Sequence, residues 1–435
     1  MQLNNKATVA SALAGAACAL LGTPAAQAEE GMLKDWQFDT AILYYGETDR
    51  VSLAEGVINA TKTNDDDSIF NVKLVLDTLT GASANGAVAQ PYAQTFSRPS
   101  GKDGYVVNAG ETPLDDTFRD TRVQVSGSWM QPFADTWRAT GAVNVSTEYD
   151  YLSLGLSGLL EKDLFMRNTT LSAGLSFQFD SIDPVGGTPD ALTSMLVPTY
   201  LGDDNDEGED EFEWDDDYEE GENKTGSESK TTTDLILGVT QVINRRMLMQ
   251  FNYGLSVVDG YMTDPYKLLS VVDSAGMTQD VIYEGRPDSR TKHSFFWHTK
   301  YALDNAVVDV SYRYATDDWE IDSHTIDSRF RFNLGDNDYI QPHLRYYQQS
   351  AAEFYRPFLN QADPPPMYAS ADYRVGEMTA YTLGLKYGHK MENGHEWAVR
   401  AEYYQQDPKN AGFDEPGVLA DLDLYPSVKA VILQF

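Results

Sequence analysis

The polar and apolar positions of this chain alternate with a period of two over long stretches. In "DTWRATGAVNVS", Trp137, Ala139, Gly141, Val143 and Val145 fall on one side, with Arg138, Thr140, Ala142, Asn144 and Ser146 on the other. "NTTLSAGLSFQFD" sets Leu171, Ala173, Leu175, Phe177 and Phe179 against Ser172, Ser176, Gln178 and Asp180. "AVVDVSYRY" and "EWAVRAEYYQ" behave alike, with Val308, Val310 and Tyr312 against Asp309, Ser311 and Arg313, and Trp397, Val399 and Ala401 against Arg400 and Glu402. Successive side chains on a strand point to opposite faces, so each stretch reads as a strand with one apolar and one polar face. No helical periodicity of useful length accompanies them.

About sixteen such segments follow from this pattern. They are 35–46, 50–62, 67–80, 117–131, 134–146, 149–161, 167–180, 230–243, 246–258, 289–301, 306–315, 323–334, 339–349, 377–390, 396–406 and 428–435. The links after even-numbered segments are short, such as "QPF", "INRR" and "ALDNA". The long links, 81–116, 181–229, 259–288, 350–376 and 407–427, all follow odd-numbered segments. Two odd links, near Glu47 and Thr147, are short and leave a count of fourteen open. Sorting by parity is what a membrane barrel needs, with tight periplasmic turns and large extracellular loops. The expected fold is therefore all-β, one transmembrane antiparallel β-barrel. Aromatics at 12% of the chain, many near segment ends, fit interfacial belts. The final "KAVILQF" reads as a sealing strand with Val431, Leu433 and Phe435 toward lipid, and Phe435 as the signal to the barrel-insertion machinery.

The first residues add the compartment. "MQLNNK", an apolar run from Ala7 to Gly22 and "TPAAQA" form a signal peptide over 1–28, cleaved after Ala28. The barrel then occupies 29–435, which is 435 minus 28, or 407 residues. The single cysteine, Cys18, leaves with the signal, so disulfides and thiol chemistry are excluded. The whole chain carries a formal charge of -35, which excludes nucleic acid as a partner by repulsion.

Charge is distributed unevenly. Asp203 to Glu222 holds 14 acidic residues and no basic one, within the longest extracellular link. Its ordinary reading is a solvated, self-repelling disordered loop. The sharper reading is weak capture of divalent cations, or bridging to lipopolysaccharide through them, with Asp203, Asp204, Asp206, Glu207 and Asp210 as candidate ligands. An EF-hand fails, because the twelfth position is Trp214.

On the later strands the polar face is basic: Lys292, Lys300, Arg313, Arg329, Arg331, Arg345, Lys386 and Arg400 against Asp309, Asp327 and Glu402. An Arg or Lys on the lipid face near the midplane costs roughly 2–4 kcal/mol, so these residues are expected to line the lumen. They read equally as a stiffening ion-pair lattice or as a lining that favours anions.

Catalytic chemistry finds no foothold. The histidines His293, His298, His324, His343, His389 and His395 form no metal motif. Ser323 and His324 are adjacent, so they face opposite ways on a strand and make no nucleophile–base pair. No cofactor is expected.

Several blocks resemble the signatures of a large family of uncharacterised proteobacterial outer-membrane barrels. They are "DTLTGAS" (77–83), "DDTFRDTR" (115–122), "GYMTDPYKLLSVVD" (260–273), "YEGRPDSR" (283–290), "DDWEIDSHT" (317–325) and "RYYQQSAAEFY" (345–355). The resemblance transfers no activity or catalytic residue. It implies neighbours such as small lipoproteins and a link to envelope metal or redox physiology. Two functions follow as expectations. One is a channel for small polar or ionic solutes, in the outer membrane with both termini periplasmic, with a homo-oligomer as one of its open arrangements. The other is a plugged barrel that serves as an envelope scaffold or binds a periplasmic lipoprotein.

Overall fold

The computed structural model describes residues 36–97, 104–195 and 224–435. The signal segment with Ala28, and Asp203, Asp204, Asp206, Glu207 and Asp210 of the acidic loop, lie outside the described residues. All sixteen expected segments are strands of one closed antiparallel barrel. In chain order they are β1 (Trp36–Glu47), β2 (Val51–Thr63), β3 (Ile69–Ala84), β4 (Leu114–Ala134), β5 (Trp137–Thr147), β6 (Tyr151–Leu164), β7 (Thr169–Ile182) and β8 (Glu228–Asn244). They continue as β9 (Met247–Gly260), β10 (Ser289–Ala302), β11 (Ala306–Asp317), β12 (Asp322–Leu334), β13 (Asp338–Gln349), β14 (Met378–Lys390), β15 (Glu396–Pro408) and β16 (Val428–Gln434).

Each strand pairs with its chain neighbours, and β1 pairs with β16 from Leu43↔Gln434 to Glu47↔Ala430. Phe435 extends that seam: its N–H donates to the Ile42 carbonyl at 2.9 Å, and its carbonyl accepts from the Ile42 N–H at 3.0 Å. Closure gives every strand two ladders and leaves no edge, the condition for a sheet to sit in lipid. Links after even strands are tight, such as 135–136, 245–246 and 303–305. Odd links are long at 85–113, 183–227, 261–288, 350–377 and 409–427. Beside the two short odd links at 48–50 and 148–150, a third is short at 318–321. With three tight odd links the count is sixteen, not fourteen.

The apolar face is the outer one. Leu156, Leu175, Phe251, Phe295, Leu383 and Val431 are all exposed on it. Aromatic rings cluster toward the short-turn end, where Phe70 packs against Trp36 and Trp129 at 5.9 Å each and Tyr387 against Trp397 at 5.5 Å. A second group runs from Tyr253 to Phe295 at 5.4 Å and from Tyr314 to His324 at 5.1 Å. The first group fits the rings expected at one membrane–water boundary, whereas Tyr253 and Phe295 lie midway along β9 and β10.

Most of the fully buried apolar side chains sit elsewhere, Tyr339 of β13 aside. Phe96, Leu269, Val272 and Leu419 are fully buried, and all lie in the long links rather than the wall. Those links also carry a small sheet in which 268–272 pairs with 278–283 and, in parallel, with 359–360.

Candidate functional site

Cross-strand register fixes which side chains share the inner face. Phe296↔Arg313, Lys300↔Asp309↔Arg329, Asp327↔Arg345, Gln341↔Lys386↔Arg400 and Thr325↔Tyr347 lie along it. Gln349, two residues beyond Tyr347, donates through Nε2 to the carbonyls of Arg374 at 3.0 Å and Gly376 at 2.7 Å. Arg374 and Gly376 belong to a long link, so this is the face the links fold onto, opposite the apolar one. Lys292, Lys300, Arg313, Arg329, Arg331, Arg345, Lys386 and Arg400 all occupy it by register.

Their partners differ. Lys300 lies 3.4 Å from Asp309, Arg329 3.5 Å from Asp327, and Arg400 3.7 Å from Glu402. Arg331 stacks 3.6 Å over the Tyr339 ring, with Lys386 at 5.6 Å from the same ring. Arg313 sits 5.4 Å over Phe296. Lys292 and Arg345 form no ion pair among the described residues. Lys292, Lys300, Arg313 and Arg345 are exposed, so the space they face is open to water.

Two groups on this half escaped the sequence. His343 lies between Asp327 Oδ2 at 2.9 Å and Glu402 Oε1 at 2.8 Å. Parity alone places His343 on the inner face, but only the register brings carboxylates from β12 and β15 to its two ring nitrogens. Each ring nitrogen thus has a carboxylate oxygen within hydrogen-bond distance. Asp317 and Glu396 are further inward acids, beside Arg290 and the Tyr339 hydroxyl. His324 faces outward, its Nδ1 2.7 Å from the Tyr312 hydroxyl.

The first eight strands invert the balance. Their inner face carries Asp39, Glu47, Glu55, Asp77, Asp120, Glu161, Asp163, Asp180, Glu228 and Asp234. Among the described residues, Lys73, Arg122, Arg138 and Lys230 oppose them. Arg122 pairs with Asp77 at 2.7 Å, and Arg138 with Asp163 at 2.6 Å. The basic lining expected from the later strands is thus one half of the bore, and the other half is acidic.

Above the bore the long links form one packed assembly. Val88, Val272, Phe358 and Leu419 make a single cluster from four different links. These links leave the ring after β3, β9, β13 and β15, so their meeting point lies across the mouth. Val88 N–H donates to Ser270 Oγ at 3.1 Å, and Val418 N–H to the Ala275 carbonyl at 2.9 Å. Gly417, at φ +54°, makes that approach feasible, since a Cβ there would lie 1.9 Å from the Ala275 oxygen. Below it, "DTLTGAS" forms the upper part of β3, where Gly81 at φ +134° passes the Arg50 carbonyl.

An ionic network ties the cap together. Arg286 lies 2.7 Å from Glu284 and 2.7 Å from Asp372. Arg374 Nε donates to Asp372 Oδ2 at 2.7 Å and its NH2 pairs with Asp264. Ser370 Oγ and the Asp264 N–H both donate to Glu284. Lys267 Nζ donates to the Ala84 carbonyl, and the Tyr266 hydroxyl to Asp150. Glu284 and Asp372 are almost wholly buried. Burial lifts the Glu284 carboxyl to about 7 despite Arg286. Asp372 is also pushed upward by burial, but Arg374 and Lys267 outweigh this and hold it below the usual range. The "TDPYK" and "YEGRPDSR" blocks supply Asp264, Lys267, Glu284 and Arg286, so they are the joints of this cap. Among the described residues, no group of three or more His, Cys, Asp or Glu is arranged to hold a metal ion.

A family model described as "Protein of unknown function (DUF3570)" matches residues 10–435. No curated protein matches the chain in sequence. Among solved structures, the siderophore receptor PirA from Acinetobacter baumannii aligns at 9% identity and a TM-score of 0.41, covering 86% of this chain and 53% of the receptor. The chain therefore spans about half the length of that receptor. OmpT of Vibrio cholerae aligns at 12% identity and a TM-score of 0.37, covering 92% of this chain and 97% of that one. OpdK of Pseudomonas aeruginosa aligns at 7% identity and a TM-score of 0.37, covering 93% and 99%.

Proposed function

We propose that this chain, which belongs to the DUF3570 family of proteins of unknown function, is an outer-membrane transport barrel for small polar and ionic solutes, with its loop assembly as the gate. The observation that carries this is the inner face. Charged side chains such as Lys292, Arg313 and Arg345 face water beneath the cap, instead of being packed into it. These three form no ion pair among the described residues, so they do not brace the wall as the neighbouring pairs Lys300–Asp309 and Arg329–Asp327 do. A sixteen-strand ring is wide enough for an aqueous lumen unless loops fill it.

In this reading the short turns and both chain ends face the periplasm, the cap faces outward, and the outer wall meets lipid and lipopolysaccharide. Phe435 serves as the contact for the insertion machinery. A homo-oligomer would form through the outer wall.

A second reading has its own support. Convergence of four links over the mouth favours a closed barrel that scaffolds a periplasmic lipoprotein, tied to envelope metal or redox physiology. Planar-bilayer conductance of the folded barrel separates the two. Steady conductance, raised when the cap is opened by Arg286→Ala, is expected for a gated channel. Silence from both forms, each with a folded heat-modifiable band, would overturn transport in favour of the scaffold. Deleting Asp203 to Glu222 and measuring calcium binding tests a role for the acidic loop.

A further inference from the structure

We infer that the bore favours zwitterions of amino-acid size, because its two facing walls carry opposite charge. The inference rests on the transport reading above and names its substrate class. In a ring of sixteen, each strand faces the one eight places on, so β2 faces β10 and β3 faces β11. Glu55 on β2 therefore looks across the bore toward Lys292 on β10, with Arg313 on the next strand, β11. Asp39 on β1, Asp234 on β8 and Arg345 on β13 add to the net charge of their halves without an inward-facing countercharge on the strand directly opposite.

None of these six side chains forms an ion pair among the described residues. That separates them from pairs such as Lys300–Asp309 and Arg329–Asp327, which cancel within one wall. Uncancelled charge of opposite sign on facing low-dielectric walls produces a field across the water between them. The two halves nearly balance in total, so a simple anion or cation gains little on entering. A solute with a cationic and an anionic end gains at both, by aligning with the field. Screening over about 8 Å at physiological ionic strength means the preference should fade as salt is raised.

The test is entry of solutes into liposomes carrying the full-length barrel at low ionic strength, paired with KCl reversal potentials in planar bilayers. Glutamine is the zwitterion, arabinose the uncharged control of similar size, and glutamate and lysine the singly charged controls. Glutamine should enter about threefold faster than arabinose, and faster than either charged control, with a reversal potential near zero. The variant D39N/E55Q/D234N should turn anion-selective and K292Q/R313Q/R345Q cation-selective, and both should lose the glutamine preference. Heat-modifiable mobility checks folding, and E55Q and R345Q alone give the same directions at smaller size should a triple variant fail. Equal rates for glutamine and arabinose through a conducting barrel would overturn this inference and leave transport standing. So would a strong anion preference in the unaltered protein. A barrel that never conducts would overturn both.

Discussion

Leu156 and Leu269 are the same residue type in opposite surroundings. Leu156, on the wall, is 62% exposed, while Leu269, in the cap, is fully buried. The wall keeps its apolar groups outside, where lipid covers them, and its polar groups inside. The cap does the reverse, with an apolar interior and buried ion pairs, as a water-soluble domain would. The wall is held by backbone ladders that depend little on any one side chain. The cap is held by particular side chains from distant links, so single substitutions should separate the two regions.

Arg286→Ala should have the largest effect. It leaves Glu284 and Asp372 buried without their shared cation, a loss of about 3–5 kcal/mol. Hydrogen exchange should rise across 261–288 and 350–377 while the heat-modifiable barrel band persists. Loss of the folded band would show that cap and wall are one unit. Leu269→Ala empties a site with no solvent access and should cost the cap about 2–5 kcal/mol, read by the same exchange experiment. Leu156→Arg places a charge on the lipid face and should cost the wall roughly 2–4 kcal/mol, lowering its urea midpoint without altering cap exchange.

The smallest effect is on pH dependence. The folded cap holds Glu284 at about 7, above its ordinary 4.5. Between those values the closed cap keeps a proton that the opened cap releases. The stabilisation is full below about pH 4.5 and is lost as pH rises through 7. Asp372, held low, contributes above its ordinary 3.8 and fails only in stronger acid. Cap protection factors, corrected for the base-catalysed intrinsic exchange rate, should therefore be higher at pH 5.5 than at pH 8, and Glu284→Gln should flatten that difference. Higher protection at pH 8 than at pH 5.5 would contradict the buried position of Glu284.

The same contrast explains what the sequence disclosed. A strand writes its two faces into every second residue, so all sixteen segments and the inward side of Arg313 or Arg345 were legible from parity. Partners across strands were not, because they depend on register. His343 gave no sign of lying between Asp327 and Glu402. The acidic half of the bore was readable residue by residue, at Asp39, Glu55 and Asp234, yet its significance appears only once closure sets β2 opposite β10. The cap has no period. Its blocks were conspicuous as a resemblance, but nothing local says that Arg286 would meet Asp372 or that Val88 would meet Leu419.

The convergence of links in the cap also dictates an order of events. Val88 and Ser270 are separated by 182 positions in the chain, and Gln90 and Thr278 by 188. Closing loops of that length is entropically costly in an open chain. Once neighbouring strands have zipped and the ring has shut, the roots of all four links are already gathered around one rim. The cap then assembles from short, tethered segments. The wall is thus expected to be the template on which the cap folds, with the cap gaining hydrogen-exchange protection last in a pulse-labelled refolding experiment.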